Sequence, residues 1–252
     1  MRNEQVREIF SHRWPAFVGG EGTGSSSKSI TLAAANYEWP FELVIPGSMA
    51  ESVEGLKDVR VGYNLKATVA RGRLSADLHA YKSVRIIRTL APGDLELAHA
   101  MTVENIWPNK VEYSLNIPQK AVVFGTSIQT EMSFTPLLKG LKIGTIKCNL
   151  VETHDWNVHS YGDNHYKKTR EIAAWSFEMN EEEHYHDMMN ESGQDGWVLK
   201  ESLPLPKSLK LCMQDVDTEK IKIKHKVKFI IALENPDGHI SEVCRPSLYD
   251  LG

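Results

Sequence analysis

The run IKIKHKVKFIIAL at positions 221 to 233 alternates apolar and polar side chains almost without a break. Ile221, Ile223, Val227, Phe229, Ile231 and Leu233 share one parity, and Lys222, Lys224, Lys226 and Lys228 share the other. Successive side chains on a strand point to opposite faces, so this segment reads as a β-strand with one face buried and one wet. NPDG follows at 235 to 238. In it Pro presets φ, Asp caps the turn and Gly accepts positive φ, so NPDGH reads as a hairpin tip, and His239 and Ile240 open the return strand. Asp237 and His239 are metal-capable residue types, but the turn accounts for both.

The same period recurs along the chain. In VRVGYNLKATVAR, Val59, Val61, Tyr63, Leu65, Ala67 and Val69 alternate with polar residues. VEYSLNI repeats the pattern with Val111, Tyr113, Leu115 and Ile117, and IQTEMSF with Ile128, Met132 and Phe134. Turn residues separate these runs: IPGS at 45 to 48, ARG at 70 to 72 and APGD at 91 to 94. No stretch holds a helical period with caps at both ends. The expected class is all-β, with two packed-sheet sandwiches. Two segments stand out as irregular: a flexible Gly/Ser loop at 19 to 29, and a polar, His-rich insert at about 152 to 202, with a helical turn near TREIAAWSFEMNEEE.

At 252 residues the chain is long enough for a sizeable core. A net charge of −4 gives no basic excess for general nucleic-acid binding. The N-terminus MRNEQVREIFSHRW has no apolar signal-peptide core, and no segment reaches the length of a membrane span. Cys148, Cys212 and Cys244 are odd in number and widely spaced, which suits a reduced, intracellular compartment.

Chemistry, if present, is expected in the insert, which holds His154, Asp155, His159, Asp163, His165, His184, His186 and Asp187. A metal centre needs three or four such ligands on a rigid frame, and no HExxH-type spacing is present. A solvated acidic loop is the favoured reading, and a metal-dependent enzyme the alternative. Cys148 and Cys212 lie in apolar contexts that favour packing over nucleophilic catalysis. No GxSxG elbow or phosphate-binding Gly loop occurs. The expectation is a non-enzymatic protein without cofactors. The Lys222, Lys224, Lys226, Lys228 ladder suits an anionic partner such as lipid headgroups or phosphorylated tails, or a face kept soluble against edge pairing, and the second reading is preferred.

Several blocks in order resemble the arrestin-like proteins, specifically the α-arrestins of fungal type. YEWPFELVIPGSMAESVEGL (37 to 56) looks like their N-domain signature, and VGYNLKATVARG with KSVRIIRTL is similar to the strands that follow. VENIWPNKVEYSLNIPQKAVVFGTSI looks like the hinge and first strand of the C-domain. PLLKGLKIG, LCMQDVD and IKIKHKVKFIIALENPDGHISE match later C-domain strands. The resemblance implies two arrestin-type (immunoglobulin-like) β-sandwiches, one over 1–107 and one over 108–252. It implies an adaptor that links plasma-membrane transporters or receptors to a HECT-type ubiquitin ligase with WW domains, for ubiquitin-dependent and often nutrient-regulated endocytosis. Such an adaptor works in the cytoplasm, peripherally at the plasma membrane or endosomes, and carries no catalytic machinery. It also implies a role for Arg88, which matches an arrestin arginine buried in an interdomain polar core and acting as a phosphate-sensitive switch. Arg85 and Arg88, three apart on an alternating strand, are expected on opposite faces.

The chain departs from the pattern in three places. Only about forty residues precede FELVIPG, so the first sandwich, which needs ~100 residues, is expected to be incomplete. VCRPSLYDLG replaces an apolar closing strand. No PPxY occurs, PSLY at 246 to 249 being the nearest approach. These features suggest a fragment, a truncated gene model or a short isoform, and a cargo-binding scaffold without ligase recruitment as the nearer alternative function. Unpaired edges and exposed apolar faces would then favour self-association.

Overall fold

The computed structural model describes residues 6–18, 30–71, 75–88, 100–119, 122–123, 125–159, 163–186, 195–218 and 220–245. The Gly/Ser loop at 19–29, APGD at 91–94, Asp187 and PSLY at 246–249 lie outside the described residues. The chain divides into two compact units, Met1–Ser52 with Val61–Ile87, and Val53–Arg60 with Arg88–Gly252.

Among its described residues the first unit contains one antiparallel pair, β1 (Tyr63–Val69) and β2 (Leu78–Val84). The alternation in VRVGYNLKATVAR does produce a strand, but its apolar parity is not buried: Val69 is 53% exposed. The remainder holds aromatic contacts, Trp14 edge-on to Phe41 and Tyr37 stacked on Trp39. A Trp14 Nε1–H bond to the Glu42 carbonyl (2.8 Å) ties two of its segments together.

The second unit is a β-sandwich. One sheet runs β3-β4-β5-β9-β8: Met101–Trp107, Val111–Ile117, Ser127–Pro136, Gly196–Pro204 and Tyr185–His186. The other runs β10-β11-β6-β7: Val216–Asp217, Ile221–Glu234, Lys142–His159 and Asp163–Glu178, with β12 (Ile240–Arg245) also on β11. The two inner faces share one core. Val111, Tyr113, Leu115 and Ile117 of β4, with Ile128, Met132 and Phe134 of β5, meet Ile146, Cys148 and Leu150 of β6 and Val227, Phe229, Ile231 and Leu233 of β11. Each large side chain fully buried here contributes roughly 1.5–3 kcal/mol.

Two turns explain the connectivity. β3 and β4 are joined at Pro108–Lys110, where Asn109 takes the left-handed conformation (φ 59°) and Lys110 N–H reaches the Trp107 carbonyl at 3.0 Å. That turn, at the place where the sequence suggested a domain boundary, links two paired strands. NPDG is the hairpin tip between β11 and β12: Gly238 has φ 84°, and its N–H bonds the Asn235 carbonyl at 2.9 Å. The His239 N–H donates to Asp237 Oδ1 at 3.0 Å, so both metal-capable residues serve the turn.

The polar insert expected at 152 to 202 is instead mostly strand. β6 and β7 form an antiparallel ladder from Thr145↔Glu178 to His159↔Asp163, and β9 follows. A bulge at Ile172, between Leu150↔Ala173 and Val151↔Glu171, shifts the phase of β7. Tyr166, Lys168 and Arg170 therefore share a face with Ala173, Trp175 and Phe177, and no single parity runs through the strand. The expected helical turn is confined to α1 (Glu181–His184), whose Asn180 N-cap accepts from Glu182 N–H at 3.0 Å.

Candidate functional site

The inward parity of β6 continues past Leu150 as Glu152, His154 and Trp156, and that of β11 carries His225 between Ile223 and Val227. Strand register places Arg170, Glu152 and His225 in one row across β7, β6 and β11. Both strands on either side of Glu152 thus aim a cationic side chain at a carboxylate that is 0% exposed.

All four lone-pair positions of this carboxylate are used. Oε1 accepts from Arg170 Nε at 2.7 Å and contacts His154 Nε2. Oε2 accepts from Met213 N–H at 2.7 Å and lies 2.9 Å from His225 Nε2. His225 Nδ1 pairs with Asp215, and Arg170 Nη1 donates to the Lys210 carbonyl at 3.1 Å. Cys212 Sγ stands 3.6 Å from His225 Nε2. The turn bearing Cys212 is closed by the Cys212 and Leu211 N–H groups on the Ser208 carbonyl, at 2.9 Å each.

Burial opposes ionisation of Glu152, yet hydrogen bonds from His154, His225, Arg170 and Met213 N–H outweigh it and hold the carboxyl well below the usual range. Burial likewise works against a charged His225, and its bonds to Asp215, Cys212 and Glu152 lift it to about 11. The cluster is an ionic network with a buried centre at Glu152, His154, His225 and Cys212, able to hold charge and, with its thiol and imidazole, to ligate a cation.

A segment of the second unit covers this turn. Val53 is fully buried, and Gly55 (φ +105°) approaches so closely that a Cβ would sit 2.8 Å from the Leu209 carbonyl oxygen.

The family model described as "Arrestin (or S-antigen), C-terminal domain" matches residues 107–245, over half of the chain's 252 residues and nearly the whole of this sandwich. The chain belongs to the arrestin family. It is similar to the "Probable HECT-type ubiquitin ligase-interacting protein creD" of Aspergillus clavatus, 49% identical over 221 residues, covering 86% of this chain and 36% of that protein. The protein of the same name in Aspergillus oryzae is 46% identical over 241 residues, with 94% and 39% covered. The "HECT-type ubiquitin ligase-interacting protein creD" of Emericella nidulans is 45% identical over 246 residues, with 96% and 40% covered. The arrestin chain thus spans between 36% and 40% of the length of these relatives.

Among the described side chains, the metal-capable residues of the expected insert do not converge in this arrestin sandwich. His165 Nε2 pairs with Asp155 at 2.6 Å on the exposed face, and His184 Nδ1 accepts from Asn180 N–H at 3.0 Å. His186 lies on β8, and His159 and Asp163 are register partners near the end of the β6–β7 ladder. Of the described side chains in that set, His154 joins the buried cluster. Glu152, Arg170 and His225 were not singled out from sequence, and Cys212 sits on a turn instead of the expected strand. The signal was present in one place: His225 occupies the core parity of an otherwise apolar alternation.

The lysine ladder stands on the outer face of β11. Lys222 is exposed and pairs with Asp217 at 3.3 Å, and Lys224, Lys226 and Lys228 are half-buried by neighbouring strands. Arg85 and Arg88 are both exposed and lie beyond the end of β2 at Val84, so the strand alternation that would have set one of them inward does not reach them.

Proposed function

We propose that this chain forms part of an arrestin-like adaptor that connects plasma-membrane transporters or receptors to a HECT-type ubiquitin ligase for ubiquitin-dependent endocytosis. The observation that carries this reading is identity of 45% to 50% with relatives named for interaction with that ligase class, extending over 86% to 96% of the chain. A sandwich that presents loops and sheet faces suits a binding protein, and the adaptor reading makes the chain non-enzymatic. The work of such an adaptor places it in the cytoplasm, peripherally at the plasma membrane or endosomes.

In this reading the outer face of β11, with Lys222, Lys224, Lys226 and Lys228, meets acidic or phosphorylated cytoplasmic tails. Arg88 acts as a phosphate-sensitive switch, a role that rests on its match to the arrestin segment alone.

Affinity purification of the tagged full chain from cells, with quantitation of HECT-type ligases and transporters against a tagged control, tests the adaptor. Enrichment of both is the expected result; enrichment of neither overturns the reading. Charge reversal at Lys222, Lys224, Lys226 and Lys228 together should reduce transporter recovery while leaving ligase recovery intact. Equal recovery of transporter would remove the lysine face from the interaction.

A further inference from the structure

Three donors of different chemistry converge inside the second unit. A carboxylate oxygen of Glu152, Sγ of Cys212 and a ring nitrogen of His225 lie within 4.8 Å of one another, and all three residues are buried. They come from β6, the 208–212 turn and β11, so strands and a closed turn hold them, with no reliance on a free loop. We propose that Glu152, Cys212 and His225 form a buried site for a divalent transition metal of the zinc type.

Imidazole, thiolate and carboxylate together are a borderline-soft donor set, the chemistry zinc selects over calcium or magnesium. Donors bound at ~2.0–2.3 Å to a tetrahedral ion stand roughly 3–4 Å apart. His225 Nε2 is 2.9 Å from Glu152 Oε2 and 3.6 Å from Cys212 Sγ, and the remaining Glu152–Cys212 separation, within 4.8 Å, closes as the two draw onto the ion.

The surrounding contacts orient these donors. His225 pairs through Nδ1 with Asp215, the carboxylate–imidazole arrangement that turns Nε2 toward a metal. Met213 N–H and Arg170 Nε, each at 2.7 Å, fix the plane of the Glu152 carboxylate, and the Oε2 lone pair now facing His225 Nε2 becomes available once that imidazole gives up its proton. His154 Nε2 contacts the other oxygen of Glu152.

The charges balance. Binding of a dication releases the Cys212 thiol proton and the proton held between His225 Nε2 and Glu152 Oε2. Carboxylate and thiolate then neutralise the ion, while Arg170 and Asp215 offset each other outside the ligand set. Such a metal would pin the 208–212 turn to both long strands, a structural role independent of the adaptor reading.

The full chain, purified with a chelator and dialysed free of it under reducing conditions, is titrated with Co2+. The expected result is saturation at one equivalent, with a thiolate-to-cobalt charge-transfer band and intense tetrahedral visible bands, both abolished by one equivalent of Zn2+. Cys212→Ser should remove the charge-transfer band, Cys244→Ser should retain it, and His225→Gln should weaken zinc binding about tenfold or more. The spectrum of the unmutated protein decides the matter even if a variant fails to fold. No charge-transfer band, or the same band in Cys212→Ser, overturns the proposal.

Discussion

Glu152 and His225 are register partners on β6 and β11, and their side chains meet at 2.9 Å on the inner face of the sheet, where both are buried. Removing the Glu152 charge takes away one of the two carboxylates that face His225, the other being Asp215. Glu152→Gln keeps the shape but leaves His225 with Asp215 and Arg170 with the Lys210 carbonyl as their remaining partners, and is expected to cost about 1–3 kcal/mol. Urea denaturation followed by fluorescence checks this: a midpoint unchanged from that of the unmutated chain would mean that the row is not held by charge.

The same network sets a pH profile in the metal-free, chelated chain. Glu152 has its folded carboxyl lowered from 4.5, so its contribution is present above 4.5 and is lost as pH falls. His225 is raised from 6.5 to about 11, so its contribution is complete below 6.5 and is lost as pH rises toward 11. Both act together between pH 4.5 and 6.5, where denaturant stability should peak. Glu152→Gln should flatten the acid limb and His225→Gln the alkaline limb.

The sandwich was legible wherever apolar parity was unbroken: β4, β5 and β11 appear where Val111–Ile117, Ile128–Phe134 and Ile221–Leu233 alternate. It became illegible where the core face turns polar. Leu150, Glu152, His154 and Trp156 share one face, but two charged-type residues in that row read as a solvated loop. The Ile172 bulge hid β7 for a different reason, because one extra residue reverses parity halfway along. His225 stood in the core parity of a legible strand, yet its partners Glu152 and Cys212 lie 73 and 13 residues away, and no local spacing joins them. In the first unit the opposite error occurred, since alternation in β1 did not bring burial.

Gly55→Ala tests the segment that covers the Cys212 turn. The new Cβ would meet the Leu209 carbonyl at 2.8 Å, and φ +105° is unfavourable for any L side chain. Destabilisation of about 1–3 kcal/mol is expected from the clash alone. Hydrogen exchange gives the sharper reading, with protection lost at Leu211 and Cys212 N–H and retained in β4 and β5. Uniform loss across both sheets would show that the segment supports the whole sandwich.

Cys148 points from β6 into the shared core and is 0% exposed. Burial pushes its thiol up to about 12, with the Glu201 carboxylate adding to the shift. The thiolate is the reactive species, so Cys148 should resist iodoacetamide in the native chain and react only on unfolding. Peptide-resolved mass spectrometry after labelling in rising urea should place its modification at the global unfolding midpoint. Labelling well below that midpoint would reveal local opening between β6 and β7, and with it a sheet less cooperative than one continuous core requires.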